Sequence, residues 1–203
     1  FTPVTNEAGI FSSQIGYGLG VGISDINNDG WPDIYVSNDF NENDYLYLNQ
    51  GNGTFIEASS QAIAQTSRFS MGNDLADINN DGLIDILSLD MLPEDEITQK
   101  RSAGEDSYEI YRLKLNFGYG RQVSRNTLQL NNGNGTFTEI AQLAGISATD
   151  WSWAPLFADL DNDGLKDLLI SNGILSRPND MYYINFITNP ELKDAMFKKP
   201  EIS

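Results

Sequence analysis

The sequence predicts an all-β fold made of repeated units of about four short antiparallel strands, and three observations carry that prediction. The same order of segments recurs three times along 203 residues. Short apolar runs are bounded throughout by Gly, Asn and Asp, the residues that supply tight turns. Two hairpins carry Asn-Gly, which provides the positive φ angles of a tight β-turn.

The opening segment of each unit begins with Phe. Phe1-Thr2-Pro3-Val4-Thr5 leads to Ala8-Gly9-Ile10, and Phe137-Thr138-Glu139-Ile140-Ala141 leads likewise to Ala144-Gly145-Ile146. Phe55-Ile56-Glu57-Ala58 followed by Ala62-Ile63 is a weaker copy. A Gly- or Ala-rich apolar strand comes next, at 18–24, 70–76 and 152–158, then an acidic loop and a second apolar strand at 33–37, 85–89 and 167–171. The third strand has a shared pattern: Asn43-Asp44-Tyr45-Leu46-Tyr47-Leu48-Asn49, Arg125-Asn126-Thr127-Leu128-Gln129-Leu130-Asn131 and Asn179-Asp180-Met181-Tyr182-Tyr183-Ile184-Asn185. The first two copies close with the hairpins Gly51-Asn52-Gly53-Thr54-Phe55 and Gly133-Asn134-Gly135-Thr136-Phe137.

These boundaries give repeats at 1–54, 55–136 and 137–203 within one domain. The second contains an insert at 92–124, charged at first and then spaced as a helix around Tyr108, Tyr111 and Leu115; it reads as one or two short helices. Strand character ends after Asn185, and 189–199 reads as a helical tail. Four-stranded units joined by short links suggest β-propeller blades or another radial array. Three such units are too few to close a ring. The chain is therefore expected to be part of a larger ring, and its first residues read as the interior of a longer protein.

Composition narrows the function. The net charge of −17 opposes binding to nucleic acid phosphates or an anionic membrane surface. No apolar run is long enough for a transmembrane helix. The absence of Cys and His excludes a disulfide framework, Cys/His zinc sites and Ser-His-Asp or Cys-His catalysis. Ten of the 29 acidic residues lie in the three loops, and that concentration points to cations.

The loops share one spacing: Asp25-Ile26-Asn27-Asn28-Asp29-Gly30-Trp31-Pro32-Asp33, Asp77-Ile78-Asn79-Asn80-Asp81-Gly82-Leu83-Ile84-Asp85 and Asp159-Leu160-Asp161-Asn162-Asp163-Gly164-Leu165-Lys166-Asp167. Calcium takes six to eight oxygen ligands. Side-chain oxygens at positions 1, 3 and 5, a turn at Gly in position 6, a carbonyl from position 7 and Asp at position 9 would supply such a set. An EF-hand is excluded, because it needs Glu at position 12 and flanking helices, whereas position 12 here is Val36, Ser88 or Ile170 between strands. Magnesium fits poorly, since it retains its waters and demands tight octahedral geometry. A metal-free Asx-rich turn is the alternative for one copy; three copies at equivalent places favour ligation.

The loops, the strands before them and the Leu-x-Leu-Asn-x-Gly-Asn-Gly-Thr-Phe hairpins together resemble the FG-GAP/VCBS repeats of integrin α-subunit propellers, cartilage acidic protein and bacterial surface proteins. The resemblance implies a seven-bladed propeller with calcium loops between adjacent strands of a blade. It implies three calcium sites, with side-chain ligands Asp25, Asn27, Asp29 and Asp33; Asp77, Asn79, Asp81 and Asp85; and Asp159, Asp161, Asp163 and Asp167. Trp31, Leu83 and Leu165 would offer carbonyls. Asn at position 3 in the first two loops departs from the pattern and lowers their charge.

The function expected is a non-catalytic, calcium-stabilised extracellular or cell-surface module for adhesion or ligand binding. Its ligand, a protein or a glycan, would sit on a propeller face, and the chain would belong to a larger polypeptide or surface assembly. The alternative is an accessory or catalytic domain acting on polysaccharide. Glu57 and Glu139 recur at one repeat position and read as structural, whereas Asp39 and Asp90 show no evident partner in sequence. Six of the 12 basic residues (Lys100, Arg101, Arg112, Lys114, Arg121, Arg125) fall in or beside the insert. They read either as a docking patch for an acidic partner or as salt bridges to neighbouring carboxylates.

Overall fold

The computed structural model describes residues 2–11, 13–102 and 106–190. Phe1 and the part of the expected tail beyond 190 lie outside the described residues. Strand β1 (Tyr17–Ser24) pairs antiparallel with β2 (Asp33–Asp39), β2 with β3 (Tyr45–Asn49), and β3 with β4 (Phe55–Glu57). Helix α1 (Ser59–Ala62) and the short β5 (Thr66–Ser67) lead to β6 (Asn73–Ala76) and β7 (Asp85–Ser88). Helices α2 (Glu96–Arg101) and α3 (Tyr108–Asn116) follow, then β8 (Gln122–Val123), β9 (Thr127–Asn131) and β10 (Phe137–Glu139). Strands β6, β7, β9 and β10 form the second antiparallel sheet, while β5 and β8 make a two-residue parallel pair. The third sheet is the hairpin of β11 (Ser152–Ala158) and β12 (Asp167–Asn172), and helix α4 spans Met181–Thr188.

Both four-stranded sheets end on the Phe segment that opens the next repeat. The Asn-Gly hairpins cause this: Gly51, Gly53, Gly133 and Gly135 all adopt positive φ, and the chain folds straight back on β3 or β9. The strand joining two repeats in sequence thus completes the earlier sheet in space.

Consecutive sheets pack through their first strands, β1 on β6 and β6 on β11. Glycine makes this approach possible. A Cβ on Gly22 would lie 2.7 Å from the Leu75 side chain, and one on Gly72 would lie 2.4 Å from the Trp153 carbonyl oxygen. The alternation of side chains along a strand then divides the core in two. On β7, Ile86 joins Ile26, Tyr35, Leu46, Ile63 and Phe137 between the first and second sheets. Its neighbour Leu87 joins Leu89, Leu128 and Ala141, with Phe157, Leu168 and Ile170 packed against them, between the second and third. The second sheet is covered on both faces. The outer faces remain open: Leu19, Val21 and Ile23 are exposed on β1, as are Leu156 and Leu169 on β11 and β12.

The third unit departs from expectation. Its segment 179–185, read as a third strand, instead enters helix α4. Asp180 caps that helix, its carboxylate accepting from the Tyr182 and Tyr183 N–H groups, and no Asn-Gly hairpin follows to return the chain as a strand. The insert of the second unit does contain two short helices, capped by Asp95 and Ser107.

Candidate metal centre

All three acidic loops join the first strand of a sheet to the second, at the same end of the assembly. Their backbones repeat closely. Asn28, Asn80 and Asn162 at position 4 have φ of 59°, 58° and 64°, and Gly30, Gly82 and Gly164 at position 6 have 90°, 84° and 88°. Asn tolerates the left-handed region because its short polar side chain bonds locally, and Gly has no Cβ to clash. The sequence therefore coils each loop inward around its acidic residues.

The first Asp holds that coil. Asp25 accepts from the N–H groups of Asp29 and Gly30 at 3.0 and 2.8 Å, Asp77 from Asp81 and Gly82 at 3.0 and 2.8 Å, and Asp159 from Asp163 and Gly164, both at 3.0 Å. Position 5 accepts from position 7 in every copy: Asp29 from Trp31 N–H, Asp81 from Leu83 and Asp163 from Leu165. Asn27 and Asn79 at position 3 donate their amides to Asp29 and Asp81, both at 2.9 Å. In the third loop, Asp161 replaces that amide with a carboxylate, and ligand oxygens of Asp159, Asp161 and Asp167 lie within 4.8 Å of one another. Asp163 is not in that group. Among the described residues, none of the ten loop carboxylates is in an ion pair. A plain Asx turn would use the N–H contacts, but it gains nothing from three unpaired carboxylates gathered together.

Position 9 differs from the rest. Asp33 and Asp85 are fully buried, and burial raises both their carboxyls above the usual range. Asp33 accepts from Ile26 N–H at 2.9 Å and Asn49 N–H at 2.8 Å; Asp85 accepts from Ile78 at 3.1 Å and Asn131 at 2.8 Å. This carboxylate thus ties its loop to the third strand of its own sheet. Among the described residues, Asp167 keeps only the loop bond, from Leu160 N–H at 2.9 Å, and is half-buried where the third sheet has two strands.

Three groups of residues acquire their roles only in three dimensions. Asn49 and Asn131 accept from Gly51 and Gly133 N–H groups, fixing the hairpins, and the Asn131 amide donates to the Ile26 and Ile84 carbonyls. Their recurrence before x-Gly in the hairpin motif is the available sequence signal. Asn28 and Asn80 reach across to the next loop, donating to the Gly82 and Gly164 carbonyls at 3.0 and 3.1 Å. At the opposite end of the sheets, Asp44 and Asp90 are buried in polar surroundings. Asp44 accepts from Tyr35, Ser70 and the Asn38 N–H, and Asp90 from Ser67, Phe69 N–H and Met91 N–H.

Several other acidic and basic residues have structural partners. Glu57 accepts from Leu46 and Ser59 N–H groups, and Glu139 from Leu128 and Ala141 N–H groups and the Arg125 guanidinium. Asp39 accepts from the Phe40 N–H. Four of the six basic residues around the insert form ion pairs: Lys100 with Glu96, Arg101 with Asp180, Lys114 with Asp106 and Arg125 with Glu139. Helix α3 and residues 120–124 wall a cleft of about 710 Å³, but Arg68 and Lys114 within it both pair with Asp106.

The repeated loops match a family model. FG-GAP-like repeat is its description, and it covers residues 25–88 and 116–170, more than half of the chain. The chain belongs to this family. The FG-GAP match begins at the first loop and ends within β12, and it leaves out 89–115, which holds helix α2 and all but the last residue of α3. Among curated proteins, cartilage acidic protein 1 of Mus musculus is 38% identical over 85 residues, which is 41% of this chain and 13% of that protein. The Xenopus tropicalis protein of the same name is 37% identical over 71 residues, 34% of this chain and 11% of its own length. The Homo sapiens protein is 35% identical over 85 residues, 41% of this chain and 12% of its own length. The chain therefore spans only a small share of these relatives. Among the described residues, no helix is long and apolar enough to cross a membrane.

Proposed function

We propose that this FG-GAP chain is a calcium-stabilised, non-catalytic binding module that works outside the cell, with one calcium ion in each acidic loop. The observation that carries the proposal is the third loop, where three carboxylates converge without a basic partner. Their donors are all oxygens, which suits a hard cation. Calcium, when bound, neutralises the mutual repulsion of each cluster and fixes the connection between two strands. The first and second loops fit the same ion with one charge fewer, through Asn27 and Asn79.

The proposed ligand set is Asp25, Asn27, Asp29 and Asp33, with Asp77, Asn79, Asp81 and Asp85, and with Asp159, Asp161, Asp163 and Asp167. The carbonyls of Trp31, Leu83 and Leu165 complete the three sites. At a dissociation constant of about 10⁻⁴ M, the range of extracellular calcium modules, such loops would fill outside the cell and stand empty at cytosolic calcium levels. The similarity to cartilage acidic protein 1 supports the extracellular reading. The open apolar faces of β1 and of the β11–β12 hairpin support a place within a larger propeller, whose face would carry a protein or glycan ligand. Titration calorimetry of the calcium-free chain with calcium chloride tests the proposal. Three ions per chain are expected, magnesium should give no comparable heat, and the absence of calcium uptake would contradict it.

A further inference from the structure

The side chain of Asn28 donates to the Gly82 carbonyl at 3.0 Å, and Asn80 donates to the Gly164 carbonyl at 3.1 Å. Each bond joins position 4 of one loop to position 6 of the next, across 54 and 84 residues of sequence. Their recurrence at equivalent positions marks them as part of the repeat. They also connect the ligand-bearing backbones directly. The Gly82 and Gly164 carbonyls share their peptide planes with the Leu83 and Leu165 N–H groups, which Asp81 and Asp163 hold from position 5 of each loop. Asn28 lies between Asn27 and Asp29, and Asn80 between Asn79 and Asp81.

A cation that orders Asp81 therefore orders the peptide between Gly82 and Leu83, and with it the carbonyl acceptor that Asn28 needs. Asn28 in turn holds the left-handed turn that sets Asn27 and Asp29 around the first site. The same path runs from Asp163 through the Gly164–Leu165 peptide and Asn80 to the second site. We propose that Asn28 and Asn80 are positioning residues that couple the three loops in series, so that a cation in one raises the affinity of the next. Because coupling is reciprocal, it acts equally in both directions along the series. The inference rests on the proposed ligation and adds cooperativity to it. One side-chain hydrogen bond per junction limits the effect to about two- to tenfold in affinity.

Trp31 makes the coupling measurable, because it is part of the first loop and can sensitise terbium bound there as a calcium surrogate. Terbium affinity of the first loop is read from this emission, and its displacement by calcium is checked, in four proteins. These are the native chain, Asp81→Ala to disable the second loop, Asn28→Gly, and the combination of the two. Gly keeps the positive φ of position 28 and removes only the amide, and circular dichroism confirms that each variant is folded. Disabling the second loop should weaken terbium binding at the first about two- to tenfold when Asn28 is present, and have no effect in Asn28→Gly. An equal effect in both backgrounds, or none in either, would overturn the coupling while leaving calcium ligation intact. A native chain with no calcium-displaceable terbium emission would overturn ligation and coupling together.

Discussion

Asp85→Ala is expected to lower the free energy of unfolding by about 2–5 kcal/mol in calcium-free buffer, measured by urea denaturation. Asp163→Ala should cost no more than about 1 kcal/mol under the same conditions. Both residues belong to the proposed ligand set, yet their surroundings differ. Asp85 is fully buried, and its two oxygens separately accept from the Ile78 and Asn131 N–H groups. Truncation leaves two donors unpaired between packed sheets and a void beside them, and each lost partner costs about 1–3 kcal/mol. Asp163 is exposed and accepts one N–H within its own loop. Removing it also relieves repulsion from its acidic neighbours. With calcium present, the ranking should narrow, because Asp163→Ala then loses cation affinity as well. Equal losses for both variants without calcium would contradict the structural role assigned to position 9.

The second large effect concerns pH and the polar interior at the end opposite the loops. Burial pushes the Asp44 carboxyl up to about 7 from its ordinary value of 3.8, despite the lowering effect of donors from Asn38, Tyr35 and Ser70; the charge of nearby Asp90 adds to the rise. The folded chain thus holds a proton on Asp44 between about pH 4 and 7 that the unfolded chain releases. The stability this contributes is complete below pH 3.8 and is lost as pH rises through about 7, with a slope of at most about 1.4 kcal/mol per pH unit. Asp44→Asn keeps a neutral side chain at every pH, and its carbonyl can still accept from Asn38. The hydroxyls of Tyr35 and Ser70 can rotate to meet the amide. Relative to the native protein, Asp44→Asn should become more stable by a few kcal/mol between pH 4 and 8, because the loop carboxylates titrate alike in both proteins and cancel. A difference that stays constant across that range would contradict a protonated Asp44.

The parts of the fold legible in the sequence were those dictated by local backbone chemistry. Asn-Gly and Asp-Gly pairs demand positive φ, and every hairpin and loop turn at Gly30, Gly53, Gly82, Gly135 and Gly164 adopts it. Short apolar runs on either side of each acidic loop placed the first two strands of each unit within a few residues of their observed ends. The segment 179–185 misled because Tyr182, Tyr183 and Ile184 suit a strand, whereas Asp180 is an efficient helix cap and, among the described residues, no partner strand competes for them. At the loops, spacing identified the acidic residues but could not show that position 9 is buried and structural. Nor could it show that Asn28 and Asn80 bond to loops 54 and 84 residues away, since long-range contacts leave no trace in local pattern. Recurrence was the one clue, and it marked Glu57 and Glu139 as structural for the same reason.

The most direct test of the central claim is thermal unfolding of this chain with millimolar calcium, with EDTA, and with magnesium in place of calcium. At about ten times a dissociation constant near 10⁻⁴ M, each filled loop adds about 1.4 kcal/mol. Three loops should then raise the midpoint by roughly 8–17 °C with calcium, and by little with magnesium. Coincident midpoints in all three conditions would contradict calcium ligation and reduce the three loops to turns.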